Sequence, residues 1–229
     1  MKTGIIGAMS IETDALKAMV ENPVCEQVSG IDFVTGTIHD KSVVVAQCGI
    51  GKVFAALCAQ TMILRYGVDQ VINTGVAGGL SPTLHLLDMA ISTAVVQHDM
   101  DTSPLGDPVG LISGINRVEL PASARLGEQI AAAANSLGKY YEFGVVASGD
   151  QFIADPKRKD WITNTFDAIA CEMEGAAIGH VCYINGVDFV ILRAISDHAS
   201  DEAGNLEYPD LCKRAAEDSQ RLIEAFFTL

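Results

Sequence analysis

Short apolar runs, several ending in glycine, alternate along this chain with stretches whose apolar residues recur at helical spacing. The first run, TGIIG at 3–7, is a strand candidate, and Ile11, Ala15, Leu16, Met19 and Val20 mark a helix over 11–21. Two β-rich runs at 31–38 and 43–48 precede glycines at 49 and 51, after which a helical pattern runs from Val53 to Tyr66. VINTG at 71–75 is a further buried strand. Residues 88–96, 143–147 and 188–195 read as strands, and 122–137, 157–166 and 174–184 as helices from alanine content and periodicity. A closing helix over 208–227 places Leu211, Ala215, Leu222, Ile223 and Phe226 on one stripe, the pattern of a core-facing helix. Apolar strands alternating with helices predict an α/β fold, with a mostly parallel sheet covered on both faces and ligands at the strands' C-terminal ends. Residues 98–118, rich in Pro, Gly, Asp and Ser, predict a mobile loop or a segment that packs on another subunit.

Length and charge narrow this picture. With 229 residues and 49% hydrophobic content, a single domain over 1–229 is expected. A formal net charge of −14 disfavours nucleic acid and anionic membrane as partners, and suits a neutral or zwitterionic small molecule. The apolar start of the chain turns polar at Glu12, and no run reaches the roughly 18 residues of a membrane span, so a cytoplasmic location is expected. The six cysteines form no C-x-x-C pair, and most lie in apolar runs as structural thiols would. Cys171, His180 and Cys182 match no common zinc spacing, so neither metal nor cofactor is expected.

Candidate chemistry sits where predicted strands end. CGIGK at 48–52 is glycine-rich, but Phe54 stands where G-x-G-x-x-G needs its last glycine, and Ala46 with Val53 break the Walker pattern. A sharp turn close to the site is the remaining reading. NTGVAGGL at 73–80 has either a tight turn or glycines, Gly78 among them, that let backbone approach a ligand. In CEMEG at 171–175, Glu174 is able to accept two hydrogen bonds from ribose hydroxyls, beside the soft side chain of Met173; a solvated helix N-terminus is the alternative. RAISDHAS at 193–200 ends a strand in Ser196 and Asp197, which makes Asp197 either a general acid or an ordinary cap. Glu12 lies in the first turn of a helix, where a carboxylate is favoured whether or not it orients a water.

GIIGAM followed by Glu12, then GIGK, NTGVAGGL, SGDQF at 148–152, CEMEG and RAISD, strongly resemble the 5'-methylthioadenosine/S-adenosylhomocysteine nucleosidase family. The six blocks occur in order across nearly the whole chain. The resemblance implies the nucleoside phosphorylase fold, a three-layer α/β/α sandwich around a mixed sheet, and a homodimer. It also implies roles: Asp197 protonates N7 of adenine with Ser196 holding it, and Glu12 positions and deprotonates the attacking water. Glu174 would hold the ribose hydroxyls, with Met173 and Arg193 beside the ribose and water. Phe152 would stack on adenine, Ile153 would offer backbone to its edge, and Met9, Ile50 and Tyr208 would line the 5'-substituent pocket. The loop of His98, Asp99, Met100 and Asp101 would complete the neighbouring subunit's pocket.

Such a pair suits cleavage through a cation-like ribosyl state, with Asp197 bringing a proton and Glu12 anionic. The sequence departs from the family at Ser10 and Ile11, where acidic residues are often found, and at Val76, a serine in some members that bears on the water site. Two rivals remain: a phosphorylase of the same fold, and a non-catalytic binder of adenosine metabolites. The first would need cations for phosphate, yet no arginine precedes Arg65 and the strand end reads Asn73 and Val76. The second would have no use for both Glu12 and Asp197.

Overall fold

A computed structural model describes residues 1–198 and 208–229, with backbone only at His198, Tyr208 and Pro209. The strands are β1 (Thr3–Gly7), β2 (Glu21–Val28), β3 (Ile31–Ile38), β4 (Lys41–Gln47), β5 (Gln70–Gly79), β6 (Met89–Gln97), β7 (Leu120–Pro121), β8 (Tyr141–Ser148), β9 (Ala168–Glu172) and β10 (Asp188–His198). The helices are α1 (Ser10–Ala18), α2 (Lys52–Tyr66), α3 (Ala124–Ser136), α4 (Pro156–Phe166), α5 (Gly175–Asn185) and α6 (Tyr208–Thr228).

One mixed sheet joins all ten strands. Parallel pairings run through β4, β1, β5 and β10, and again through β6, β8 and β9. Antiparallel pairings of β10 with β6 and of β5 with β9 close five strands, β5, β10, β6, β8 and β9, into a ring. Outside the ring, β3 and β2 extend the sheet from β4 as antiparallel neighbours.

Alternation along the strands sorts their side chains onto two cores. Ile5, Val43, Val45, Ile72, Val190 and Leu192 pack with Leu16 of α1, Leu126 and Ile130 of α3, and Leu222 and Ile223 of α6. Their alternates Ile6, Val44, Ala46, Val71, Phe189 and Ile191 pack with Ala55, Cys58 and Met62 of α2 and with Ile178 and Cys182 of α5. Helix layers therefore cover both faces, the architecture of the nucleoside phosphorylase fold. Helix ends follow local chemistry: Asp155 caps α4 by accepting the Lys157 N–H, Pro156 opens that helix, and Gly67 and Gly186 stop α2 and α5 at positive φ.

Three details depart from the sequence reading. β2 is a strand although its residues are almost all exposed, so it carries no apolar period to read; its partner β3 supplies the ladder. The NTGVAGG segment is not a turn but the second half of β5, paired with β10 on one side and β9 on the other. The glycines there let neighbouring side chains cross the strand. In α1 the inward positions are Glu12, Thr13 and Leu16, while Ile11 is exposed and the helix stops at Ala18.

Candidate active site

The ends of β1, β5, β8, β9 and β10 converge, and each delivers a polar group. After β1 the chain enters α1, where Glu12 occupies the third helical position. Its Oε2 accepts the Met9 N–H (2.9 Å), half of a capping box, and the Ala8 N–H (2.7 Å). Its Oε1 accepts the Val76 N–H from β5 (3.2 Å). A Cβ on Gly75 would lie 2.6 Å from that oxygen and press on Arg193 Nη1, so only glycine leaves room for both groups.

β9 ends in Glu172, and Glu174 follows at the cap of α5. Glu172 is buried, yet Arg193 Nη2, Ser148 Oγ and the Glu174 and Gly175 N–H groups all donate to it. Burial opposes its charge, but Arg193 and these donors outweigh that and hold its carboxyl below the usual range. Among the described residues, Glu174 accepts one hydrogen bond, from the Gly51 N–H (2.8 Å) of the GIGK turn, and lies 3.7 Å from Arg193. Burial and the neighbouring Glu172 charge push it up to about 7. Arg193, 1% exposed, also donates to Asn73 Oδ1 (2.6 Å). Burial works against its charge, but Glu172, Glu174 and Glu12 together keep it firmly protonated.

β10 is irregular between Ile195 and Asp197, and this bulge lies opposite Gly78. The carboxylate of Asp197 accepts Ser196 Oγ–H at Oδ1 (3.1 Å) and Lys159 Nζ–H at Oδ2 (3.3 Å). After β8 the segment 149–155 carries Phe152, largely exposed, and Ile153, buried beneath it.

A cavity of about 140 Å³ lies between these groups, lined by Met9, Glu12, Ile50, Val76, Gly78, Phe152, Met173, Glu174, Ser196 and Asp197, together with Ala8, Ala77, Cys171 and Glu172. Ile153 lines a smaller extension that shares Gly78, Phe152, Met173 and Asp197. Of the residues expected at a site, Arg193 does not line the cavity but lies beneath it, and Tyr208 falls outside the residues whose side chains are described. His98 is buried against Gly149, and Asp99 bonds Lys52 Nζ (2.6 Å) and the Asp150 N–H (2.9 Å) of its own chain. Sequence reasoning assigned no role to Glu172, Ser148, Asn73 or Lys159. Glu172 carried a signal, as a second carboxylate two residues before Glu174; Lys159, in a charged stretch, carried none.

A family model described as the phosphorylase superfamily matches residues 2–228. A 5'-methylthioadenosine/S-adenosylhomocysteine nucleosidase of Shewanella putrefaciens is 42% identical over 205 residues, 89% of this chain and 88% of the relative. The chain belongs to this nucleosidase family. Its members are N-glycosyl hydrolases of the phosphorylase superfamily. Among solved members, the Neisseria meningitidis nucleosidase in complex with methylthio-immucillin-A superposes with a TM-score of 0.94 at 32% identity, covering 100% of this chain and 99% of that one. A mutant of the Helicobacter pylori nucleosidase with 5'-methylthioadenosine in the active site gives 0.92 at 34% identity, covering 98% and 97%. The futalosine hydrolase of Helicobacter pylori gives 0.92 at 35%, covering 99% and 97%.

Proposed function

We propose that this nucleosidase-family chain hydrolyses the N-glycosidic bond of 5'-methylthioadenosine, S-adenosylhomocysteine and related 5'-substituted adenosines, releasing adenine. The observation that carries this reading is that Glu12 and Asp197 line one cavity together with Glu174 and Phe152. Asp197 gives a proton to purine N7, so the base leaves as a neutral molecule. Glu12 takes a proton from water as it attacks the anomeric carbon from the opposite face. Glu174 accepts the ribose hydroxyls, Phe152 stacks on the purine, Ile153 presents backbone to its edge, and Met9 and Ile50 border the 5'-substituent. Arg193 orients the acids of the ribose end from beneath. No cofactor enters the reaction.

Water rather than phosphate is the nucleophile. A bound phosphate needs cationic donors, and two buried cations, Arg193 and Lys159, already face the cavity-lining Glu172 and Asp197. Val76 contributes a backbone N–H to Glu12 and an apolar side chain to the wall.

The working unit is a homodimer. Val53, Phe54 and Leu57 of α2 and Ile184 of α5 are exposed apolar residues on adjacent helices, and Leu105 is 83% exposed on the 98–118 segment. That segment, near Met100 and Asp101, reaches the partner's pocket. A cytoplasmic location agrees with the absence, among the described residues, of any helix long and apolar enough to cross a membrane.

The test is adenine release from 5'-methylthioadenosine in phosphate-free buffer, with S-adenosylhomocysteine, 5'-deoxyadenosine and aminodeoxyfutalosine as parallel substrates. Free base appearing without phosphate, alongside free sugar, is expected. No base from any substrate, or base and sugar phosphate only when phosphate is added, would overturn the reading.

A further inference from the structure

Lys159 occupies an unfavourable place for an ammonium group. It lies in the first turn of α4, where the helix dipole repels a cation, and its side chain is 3% exposed. The other buried residues of that helix are Ile162 and Phe166, and both belong to an apolar cluster with Val96, Ala147 and Cys171. A cation buried there is destabilising unless a specific partner meets it. Nζ points at Asp197 Oδ2, 3.3 Å away. The neighbouring Cys171 thiol, pushed up to about 12 by burial with Lys159 pulling the other way, stays neutral and offers no counter-charge.

We propose that Lys159 is a positioning residue for Asp197. Its ammonium holds the carboxyl at the purine end of the cavity and faces the negative charge that the acid acquires during the reaction. This rests on the functional reading above. With substrate bound, Asp197 takes up a proton from solvent; its O–H bond then breaks as N7–H forms, and the electron pair of the glycosidic bond goes to the purine. Water supplies the new hydroxyl of the sugar, and its proton passes to Glu12. Asp197 therefore returns to the anion that pairs with Lys159 as the transition state forms, in a partly buried setting where a fixed cation is worth far more than in water. Ser196 Oγ holds the other oxygen, so the carboxyl is gripped from both sides. Because α4 follows directly on the segment carrying Phe152 and Ile153, the same ion pair ties the purine-facing loop to the strand that bears the acid.

The experiment is a double-mutant cycle of Lys159→Met with Asp197→Asn, read as kcat and KM for adenine release with thermal melts alongside. In the otherwise native enzyme, Lys159→Met is expected to lower kcat roughly 10- to 100-fold with KM changed less than about threefold. In the Asp197→Asn background the same change is expected to do almost nothing, because the charge Lys159 serves is gone. Lys159→Arg keeps the charge and should retain most of kcat, whereas Lys159→Gln should behave like Lys159→Met. An equal loss in both backgrounds, equal impairment of the Arg and Gln variants, or unchanged kcat in Lys159→Met would each overturn the assignment. The Arg and Gln pair decides the matter if the Met variant does not fold. Failure of the native enzyme to release adenine would instead remove the functional reading itself.

Discussion

Among the described residues, Glu12 is held by main-chain groups, accepting N–H from Ala8, Met9 and Val76, whereas Asp197, which lines the same cavity, rests on the side chains of Ser196 and Lys159. Backbone donors belong to β5 and to the turn between β1 and α1, so they cannot move without moving the sheet. A hydroxyl and a lysine can shift by rotamer changes. Under the proposed reaction, Glu12 is thus preorganised as an acceptor, while the support of Asp197 is built around a group whose charge would change during turnover. Between them, Glu172 and Glu174 make the same contrast two residues apart: one is smothered in donors and anionic, the other has a single amide and a raised proton affinity.

Breaking the donor cage should have the largest effect. Glu172→Gln removes the nearest anion of a fully buried Arg193, leaving Glu174 3.7 Å away, and breaking a buried pair of this kind costs about 3–5 kcal/mol. Chemical denaturation should show that loss, and a change below about 1 kcal/mol would mean that the cage is not structural.

Next comes Asp197→Asn, expected to lower adenine release by roughly 100-fold or more with a smaller change in substrate affinity, and to cost stability because it leaves the buried Lys159 without this anion. Near-normal turnover would remove the general-acid role. Glu12→Gln should differ in kind, because the amide nitrogen it introduces must face backbone N–H donors. Besides lost turnover, it should destabilise by about 1–3 kcal/mol in a denaturant titration. Unchanged stability in Glu12→Gln would erase the contrast between main-chain and side-chain support.

The smallest effect is a pH dependence. Glu174 binds its proton more tightly in the folded chain than at its ordinary value of 4.5, so its contribution to stability is complete below that value and is lost as pH rises through about 7. Glu172 has the opposite sign, its contribution being lost as pH falls. Thermal melts of Glu174→Gln should therefore gain on the native protein between about pH 5 and 7 and run level with it near pH 4. A constant offset at every pH would show that Glu174 is not titrating in this window.

Much of this could be read from the linear chain. Short apolar and β-rich runs located most strands of both cores, and helical spacing located the helices. The strand-end motifs also pointed to Glu12, Glu174 and Asp197 as the groups worth following. The edge strand β2 escaped because an exposed strand has no buried face to impose a period, and NTGVAGG stayed open between a turn and a ligand-lining stretch because glycine signals either, besides a crossing point within a sheet.

What the sequence determined by itself was local: which residues prefer extended or helical backbone, which faces are apolar, and which acids stand at element ends. Whether two neighbouring glutamates share a charge state, and whether a lysine in a polar stretch is solvated or buried against an acid 38 positions away, depended on the closed ring of strands and on α4 packing over it. Proton affinity and ion pairing follow distance and burial, and both are properties of the assembled fold rather than of position along the chain.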